Sequence, residues 1–273
     1  MTVTFDQLYR SVPFQSSELE HHYGNNVHLL SDPFLLSHLN RLCHPSTFQP
    51  VIHQLTRSIY FSLLHLVLNK EFERTRLDSP TRMTTLHPNE AVYSGEVIDR
   101  EQKVVCVNLA RAGTYPSHIC YDELNYILDP RYVRQDHISL NRTTDENDQV
   151  TGTNVGGLKI GGAIDDAIVI LPDPMGATGS TLVSALNVYK KLGRAKKYIA
   201  LHLIVTPEYL KRVSQVHSDL IIYAVRFDRG LSDPKVYSSE PGKYRDLERG
   251  LNDRQYIVPG AGGFGEIFNN ADK

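Results

Sequence analysis

Residues 170–182 read ILPDPMGATGSTL. The stretch begins apolar, sets Asp173 between Pro172 and Pro174, and continues into a turn of small and hydroxyl-bearing residues. The segment 166–172 (DAIVILP) fits a buried strand, and 180–193 (STLVSALNVYKKLG) fits a helix that stops at Gly193. In an open parallel sheet, ligands sit beyond the carboxyl ends of the strands, so Asp173 is expected to project into that crevice. The turn GATGST lets backbone N–H groups converge, and Ser180 or Thr181 caps the following helix. Together these make an anion site best suited to a phosphate. No lysine precedes Ser180, so a Walker A loop does not fit. A carboxylate for sugar hydroxyls, at a fixed step from a phosphate cradle, describes a ribose 5-phosphate. A capped strand–helix turn with no ligand is the alternative.

Outward from this stretch the chain alternates strands and helices. Strands are expected at 103–110, 132–140, 197–205 and 219–227, with helices at 116–128 and 206–217. That spacing predicts an α/β fold with a parallel sheet and right-handed crossovers. Before it, Asp32 and Pro33 open a helix to Cys43. A longer amphipathic helix follows, with Phe48, Val51, Ile52, Leu55, Ile59, Leu63, Leu66 and Val67 on one stripe. Residues 81–99 suggest a β-hairpin arm, and 1–30 an N-terminal extension. The polar, glycine-rich segment 141–164 is expected to be a loop, and 228–255 a surface insertion. The whole of 1–273 is read as a single domain.

Composition narrows the function. A formal charge of −2 in 273 residues argues against a broad nucleic-acid-binding face. No twenty-residue apolar run or N-terminal signal core is present, so a soluble, uncleaved protein without membrane contact is expected. Cys43, Cys106 and Cys120 are too few and scattered for a disulfide framework or a zinc site, and read as free thiols in a reducing cytosol. The twelve histidines form no metal-binding spacing.

The stretch DPMGATGST resembles the 5-phosphoribosyl-1-pyrophosphate (PRPP) motif of type I phosphoribosyltransferases, the uracil phosphoribosyltransferase version in particular. The resemblance implies that Asp173 holds the ribose hydroxyls. It gives Pro174 and Met175 to the same PRPP site, and the 5-phosphate to Ala177, Thr178, Gly179, Ser180 and Thr181. Gly176 departs from a leucine common in the family. NLARAG (108–113) resembles the family's pyrophosphate turn and implies PRPP contacts by Arg111, Ala112 and Gly113. Arg111 has the planar fork that matches phosphate oxygens. DPFLLSHLNRLCHPSTF (32–48) is similar to the family's N-terminal helix, and NRTTDEN (141–147) to its mobile loop, with Arg142 closing on pyrophosphate.

YIVPGAGGFGE (256–266) is similar to the family's uracil-binding segment. Gly260, Gly262 and Gly265 also spell GxGxxG, but too little chain follows for a dinucleotide fold. An extended, glycine-rich backbone can pair with the O–N–O edge of a pyrimidine through alternating C=O and N–H groups. The resemblance implies that main-chain groups of Ile257, Gly262 and Phe264 read the uracil edge, with Tyr256 in the same uracil-binding set, and the Phe264 ring helps wall the pocket. Gly263 stands where the family carries aspartate, and Glu266 where it carries a second one.

The resemblance implies a type I phosphoribosyltransferase-like parallel sheet flanked by helices, with a β-hairpin arm. It implies transfer of the phosphoribosyl group of PRPP to uracil, giving UMP and pyrophosphate, in cytoplasmic pyrimidine salvage. The catalytic residues are then Asp173, Arg111 and Arg142. Mg²⁺ would accompany PRPP, with no protein residue assigned as its ligand, and the assembly would be a homodimer or higher homo-oligomer. The altered GGFGE segment leaves two alternatives open: a phosphoribosyltransferase for another base, or a non-catalytic PRPP- or nucleotide-binding regulator.

Overall fold

The computed structural model describes residues 13–144 and 150–271; of 140–144 and 150–155 the backbone alone is described. An eight-stranded sheet runs through the centre. Its path is β1 (Val27–Leu29), β10 (Leu220–Phe227), β9 (Lys197–Val205), β7 (Ile168–Pro172), β4 (Val104–Ala110), β5 (Val133–Thr144) and β6 (Val150–Lys159). The two-residue β8 (Met175–Gly176) pairs with β9 beyond the end of β7. Every pairing is parallel except β5 with β6.

The central strands are continuously apolar because helices cover both faces of the sheet. In β7, Ile168 and Ile170 face one layer while Val169 and Leu171 face the other. The first layer holds α1 (Pro33–Leu42), α2 (Val51–Glu71) and α3 (Thr114–Ile127), through Leu35, Leu39, Ile59, Leu63 and Leu124. The second holds α4 (Ser180–Tyr189) and α5 (Pro207–Val216), through Leu182, Leu186, Tyr209, Leu210 and Val213. Asp32 starts α1 as expected, its carboxylate accepting from Phe34 N and Leu35 N at 2.9 and 3.1 Å.

Four expectations need correction. Residues 141–164 are not a long loop, because β5 continues to Thr144 and pairs antiparallel with β6, Arg142 facing Thr153 in the register. The hairpin arm starts earlier than 81, as β2 (Arg74–Pro80) pairs with β3 (Val92–Ile98) and Arg82–Thr85 forms a 3₁₀ turn at its tip. Of the N-terminal extension, residues 1–12 lie outside the described residues, while 27–29 form the edge strand β1 on β10. Residues 228–255 are more than a solvated excursion. They fold around Arg229 and Glu248, 7% and 5% exposed, which form an ion pair. Arg229 also donates to the carbonyls of Val236, Tyr237 and Ser239, and Glu248 accepts from Gly242 N and Tyr23 Oη. These partners satisfy a pair that burial would otherwise make costly. Cys106 and Cys120 are buried and Cys43 half-buried, all as free thiols. Among the described residues, no helix is long and apolar enough to cross a membrane.

Candidate functional site

Three segments meet at the carboxyl ends of the strands around one cleft of about 550 Å³. The turn after β4 contributes Leu109, Ala110, Arg111 and Ala112; the turn after β7 contributes Asp173, Met175, Ala177 and Thr181. The C-terminal segment contributes 255–257 and 261–266, and Ser139 of β5 completes the wall.

The turn after β7 is held by its main chain. Asp173 N donates to Leu201 O at 3.0 Å. His202, fully buried, donates from Nδ1 to Asp173 O at 2.5 Å and accepts at Nε2 from Tyr209 Oη at 2.6 Å. Those two partners define the tautomer, and burial pushes the imidazole down to about 4, so it is neutral at pH 7. Further along, Thr206 Oγ1 donates to Ala177 O at 2.6 Å and accepts from Tyr209 N at 3.0 Å, capping α5. Gly179 precedes α4 with φ +77°, the left-handed region that glycine tolerates. Gly176 is explained by Tyr209. A Cβ at position 176 would lie 2.8 Å from Val205 Cγ1 and 3.2 Å from the Tyr209 ring, so the tyrosine occupies the space that a larger residue would need.

The turn after β4 is equally tight. Gly113 N donates to Leu109 O at 3.0 Å, and a Cβ there would stand 2.7 Å from Leu109 O and 2.9 Å from Pro172 O. Only glycine lets the two strand ends approach this closely. The peptide between Ala110 and Arg111 is cis. Arg111 reaches across the mouth of the cleft, its Nη2 2.7 Å from Glu266 Oε1, with both side chains about half-exposed. Gly263 lies beside the same carboxylate, since a Cβ there would meet Glu266 Oε2 at 3.1 Å.

The C-terminal segment is clamped from β10. Asp228, 2% exposed, accepts from Arg226 Nε at 2.6 Å, Arg226 Nη2 at 2.8 Å and Gly260 N at 2.8 Å. Arg226 Nη2 also donates to Gly260 O at 3.1 Å, so one ion pair grips both main-chain groups of Gly260. The two ends of the 228–255 segment flank Val258: Gly230 N donates to Val258 O at 2.9 Å, and Val258 N to Gly250 O at 2.8 Å. Glu208 of α5 accepts from Gly250 N and Leu251 N. Among the described residues, the main-chain groups of Ile257 and Gly262 make no hydrogen bond. Phe264 lines the cleft, yet its ring is 4% exposed and packs on Phe268 at 4.9 Å between centroids.

The structure thus brings Arg111, Ala112, Asp173, Met175, Ala177, Thr181, Tyr256, Ile257, Gly262 and Phe264 into one cleft. Pro174, Thr178, Gly179 and Ser180 lie in the same turn behind its lining, and Gly113 is the packing residue under Arg111. The Arg142 side chain and residues 145–149 of the expected mobile loop lie outside the described residues. Ser139, Gln255 and Glu266 also line the cleft and were not in the expected set. Among the described residues, no group of three or more His, Cys, Asp or Glu side chains is arranged to hold a metal ion.

Comparison with known proteins gives the same direction. A uracil phosphoribosyltransferase family model matches residues 29–245. The uracil phosphoribosyltransferase of Thermococcus kodakarensis is 35% identical over 98 residues, covering 36% of this chain and 34% of that relative. The Campylobacter fetus enzyme of the same name is 33% identical over 105 residues, covering 38% of this chain and 40% of its own. The alignments thus span a third to two fifths of the length of these relatives. The solved AQ2163 protein from Aquifex aeolicus has the same fold, with a TM-score of 0.66 at 22% identity over 88% of this chain and 96% of that one. With the family match extending over most of its length, the chain belongs to the uracil phosphoribosyltransferase family.

Proposed function

We propose that this protein transfers the 5-phosphoribosyl group of PRPP to uracil, releasing pyrophosphate and forming UMP. The observation that carries the reading is the convergence of three chemistries on one cleft: a carboxylate-and-hydroxyl turn, an arginine, and a glycine-rich main-chain segment. In this reading Asp173 accepts from the ribose hydroxyls, and the turn 177–181 offers amides and hydroxyls to the 5-phosphate. Arg111 exchanges its contact with Glu266 for the pyrophosphate, whose oxygens match the guanidinium fork. Main-chain groups of Ile257 and Gly262, unpaired with other described residues, read the pyrimidine edge while Phe264 and Phe268 stiffen that wall.

The anomeric carbon gains cationic character as pyrophosphate departs. Catalysis is therefore mainly positioning of the base nitrogen and stabilisation of the departing charge. Asp173 fixes the sugar, and its own place is set by His202 through the Asp173 carbonyl. Arg142 is assigned to closing on pyrophosphate, which would exclude water from the sugar cation. The hard carboxylate oxygens of Asp173 and Glu266 in the cleft suit Mg²⁺, which is typically held by one or two carboxylates and substrate phosphates. Bound with PRPP, Mg²⁺ would supply charge neutralisation on the pyrophosphate.

We further read 1–273 as one domain acting in the cytoplasm in pyrimidine salvage, assembled as a homodimer or larger homo-oligomer. Leu77, Leu86 and Tyr93, exposed on the hairpin arm, support an assembly surface. The test is release of pyrophosphate from PRPP on adding uracil, with UMP identified as product. Release with a different base instead would reassign the substrate.

A further inference from the structure

The turn before α4 has a cation beside it that the PRPP motif does not supply. Helix α5 buries Tyr209, Leu210 and Val213 against the sheet, and this leaves Arg212 on its exposed side. From there Arg212 Nη1 donates to Ser180 Oγ. Thr178 Oγ1 donates to the same oxygen at 3.2 Å, so the hydroxyl cluster and the guanidinium form one polar group. Among the described residues, this is the single polar interaction Arg212 makes, and no carboxylate pairs with it. The first-turn amides of α4 carry partial positive charge, and a cation there is repelled. An anion at the turn removes that repulsion and gains a planar fork of donors matching phosphate oxygens.

We propose that Arg212 is a ligand of the substrate 5-phosphate, reaching the turn 177–181 from α5. The proposal rests on the reading of that turn as a phosphate cradle. The turn offers neutral amides and hydroxyls, and Arg212 adds the formal positive charge, with Ser180 holding the guanidinium in place. Arg111, on the far strand end, keeps the pyrophosphate. The consequence is selectivity for a phosphorylated sugar at one end of the cleft, independent of pyrophosphate affinity at the other.

The test is calorimetric titration of the full-length protein with ribose 5-phosphate and, separately, with inorganic pyrophosphate. Arg212→Ala is expected to weaken ribose 5-phosphate about tenfold or more, the loss of one hydrogen bond to a charged group, and to leave pyrophosphate within about twofold. Arg212→Lys, which keeps the charge but not the fork, falls between. The residue is exposed, so the thermal midpoint should not move. If Arg212→Ala binds ribose 5-phosphate like the wild type, or loses both ligands equally, the assignment of Arg212 fails while the reading of the turn survives. If the wild type binds neither ribose 5-phosphate nor PRPP, the turn is not a phosphate cradle and both readings fall.

Discussion

Replacing Asp228 by alanine tests whether the base-reading segment depends on a clamp in β10. The substitution strips two bonds of 2.6 and 2.8 Å from Arg226 and one of 2.8 Å from Gly260 N. It leaves a guanidinium whose side chain is 24% exposed without its counter-ion. Removing one partner of a buried pair costs about 3–5 kcal/mol. At about 2–4 °C per kcal/mol for a domain of this size, the thermal midpoint should fall on the order of 10 °C. Gly260 has φ +59°, with its would-be Cβ only 2.2 Å from Ile257 O, so freeing it lets the segment from Ile257 to Gly262 shift. A misplacement of about 1 Å in a site can cost about a hundredfold, so KM for uracil should rise by tenfold to about a hundredfold. The turn 173–181 is held from β9 and α5 through Leu201, His202 and Thr206, without Asp228. KM for PRPP should therefore stay within about twofold. The assay is steady-state pyrophosphate release at saturating co-substrate, beside a melting curve; Asp228→Asn, closer in shape, serves at lower temperature if the alanine variant unfolds. An equal rise in both KM values, or an unchanged uracil KM in a folded variant, rules out Asp228 as the clamp of the base-reading segment.

Other expectations follow from the packing and charge around the site. Gly176→Leu should lower stability by about 1–3 kcal/mol through overpacking against Val205 and Tyr209, and adding Tyr209→Ala should recover part of it. Additive losses in that double-mutant cycle, measured by denaturant unfolding, contradict the shared-space explanation of Gly176. His202 has its pKa lowered to about 4 by burial, so the unfolded chain takes up a proton first as pH falls. Its stabilisation is complete above about pH 6.5 and lost by about pH 4, roughly 3 kcal/mol in all. His202→Gln should flatten stability in that window, and a wild-type-like pH curve for the variant would oppose the buried-neutral assignment. Asp173→Asn should cut turnover about a hundredfold or more, as charge-assisted bonds to the sugar weaken. Turnover close to that of the wild type removes Asp173 from its role.

The central strands and helices were legible because their patterns match their environments. The all-apolar run 168–171 is buried on both faces, and α1, α2 and α5 carry one apolar stripe each. The hairpin arm was misplaced because β2 is exposed along nearly its whole length, which leaves no alternation to detect. β6 hid behind glycines and polar residues, and its described residues from 156 to 159 are exposed, so no alternation with a core marks that stretch as a strand. At the site, the local motifs Asp173–Thr181 and Tyr256–Phe264 were visible as strings. The side chains that complete and position the site were not. Ser139, Arg212, His202 and the Arg226–Asp228 pair act across the fold, and adjacent sequence carries no sign of their partners. Glu266 was seen as a replacement, yet its contact with Arg111 joins residues 155 apart and needed the fold to appear.

The central claim is that this cleft joins a phosphorylated sugar to uracil despite Gly263. The most direct test follows pyrophosphate release from PRPP and Mg²⁺ with uracil, with each other common nucleobase, and with no base. Uracil-dependent release with UMP formed in equal amount is the expected result. Measurable PRPP binding with no release for any base would contradict it and make the protein a binder rather than a transferase.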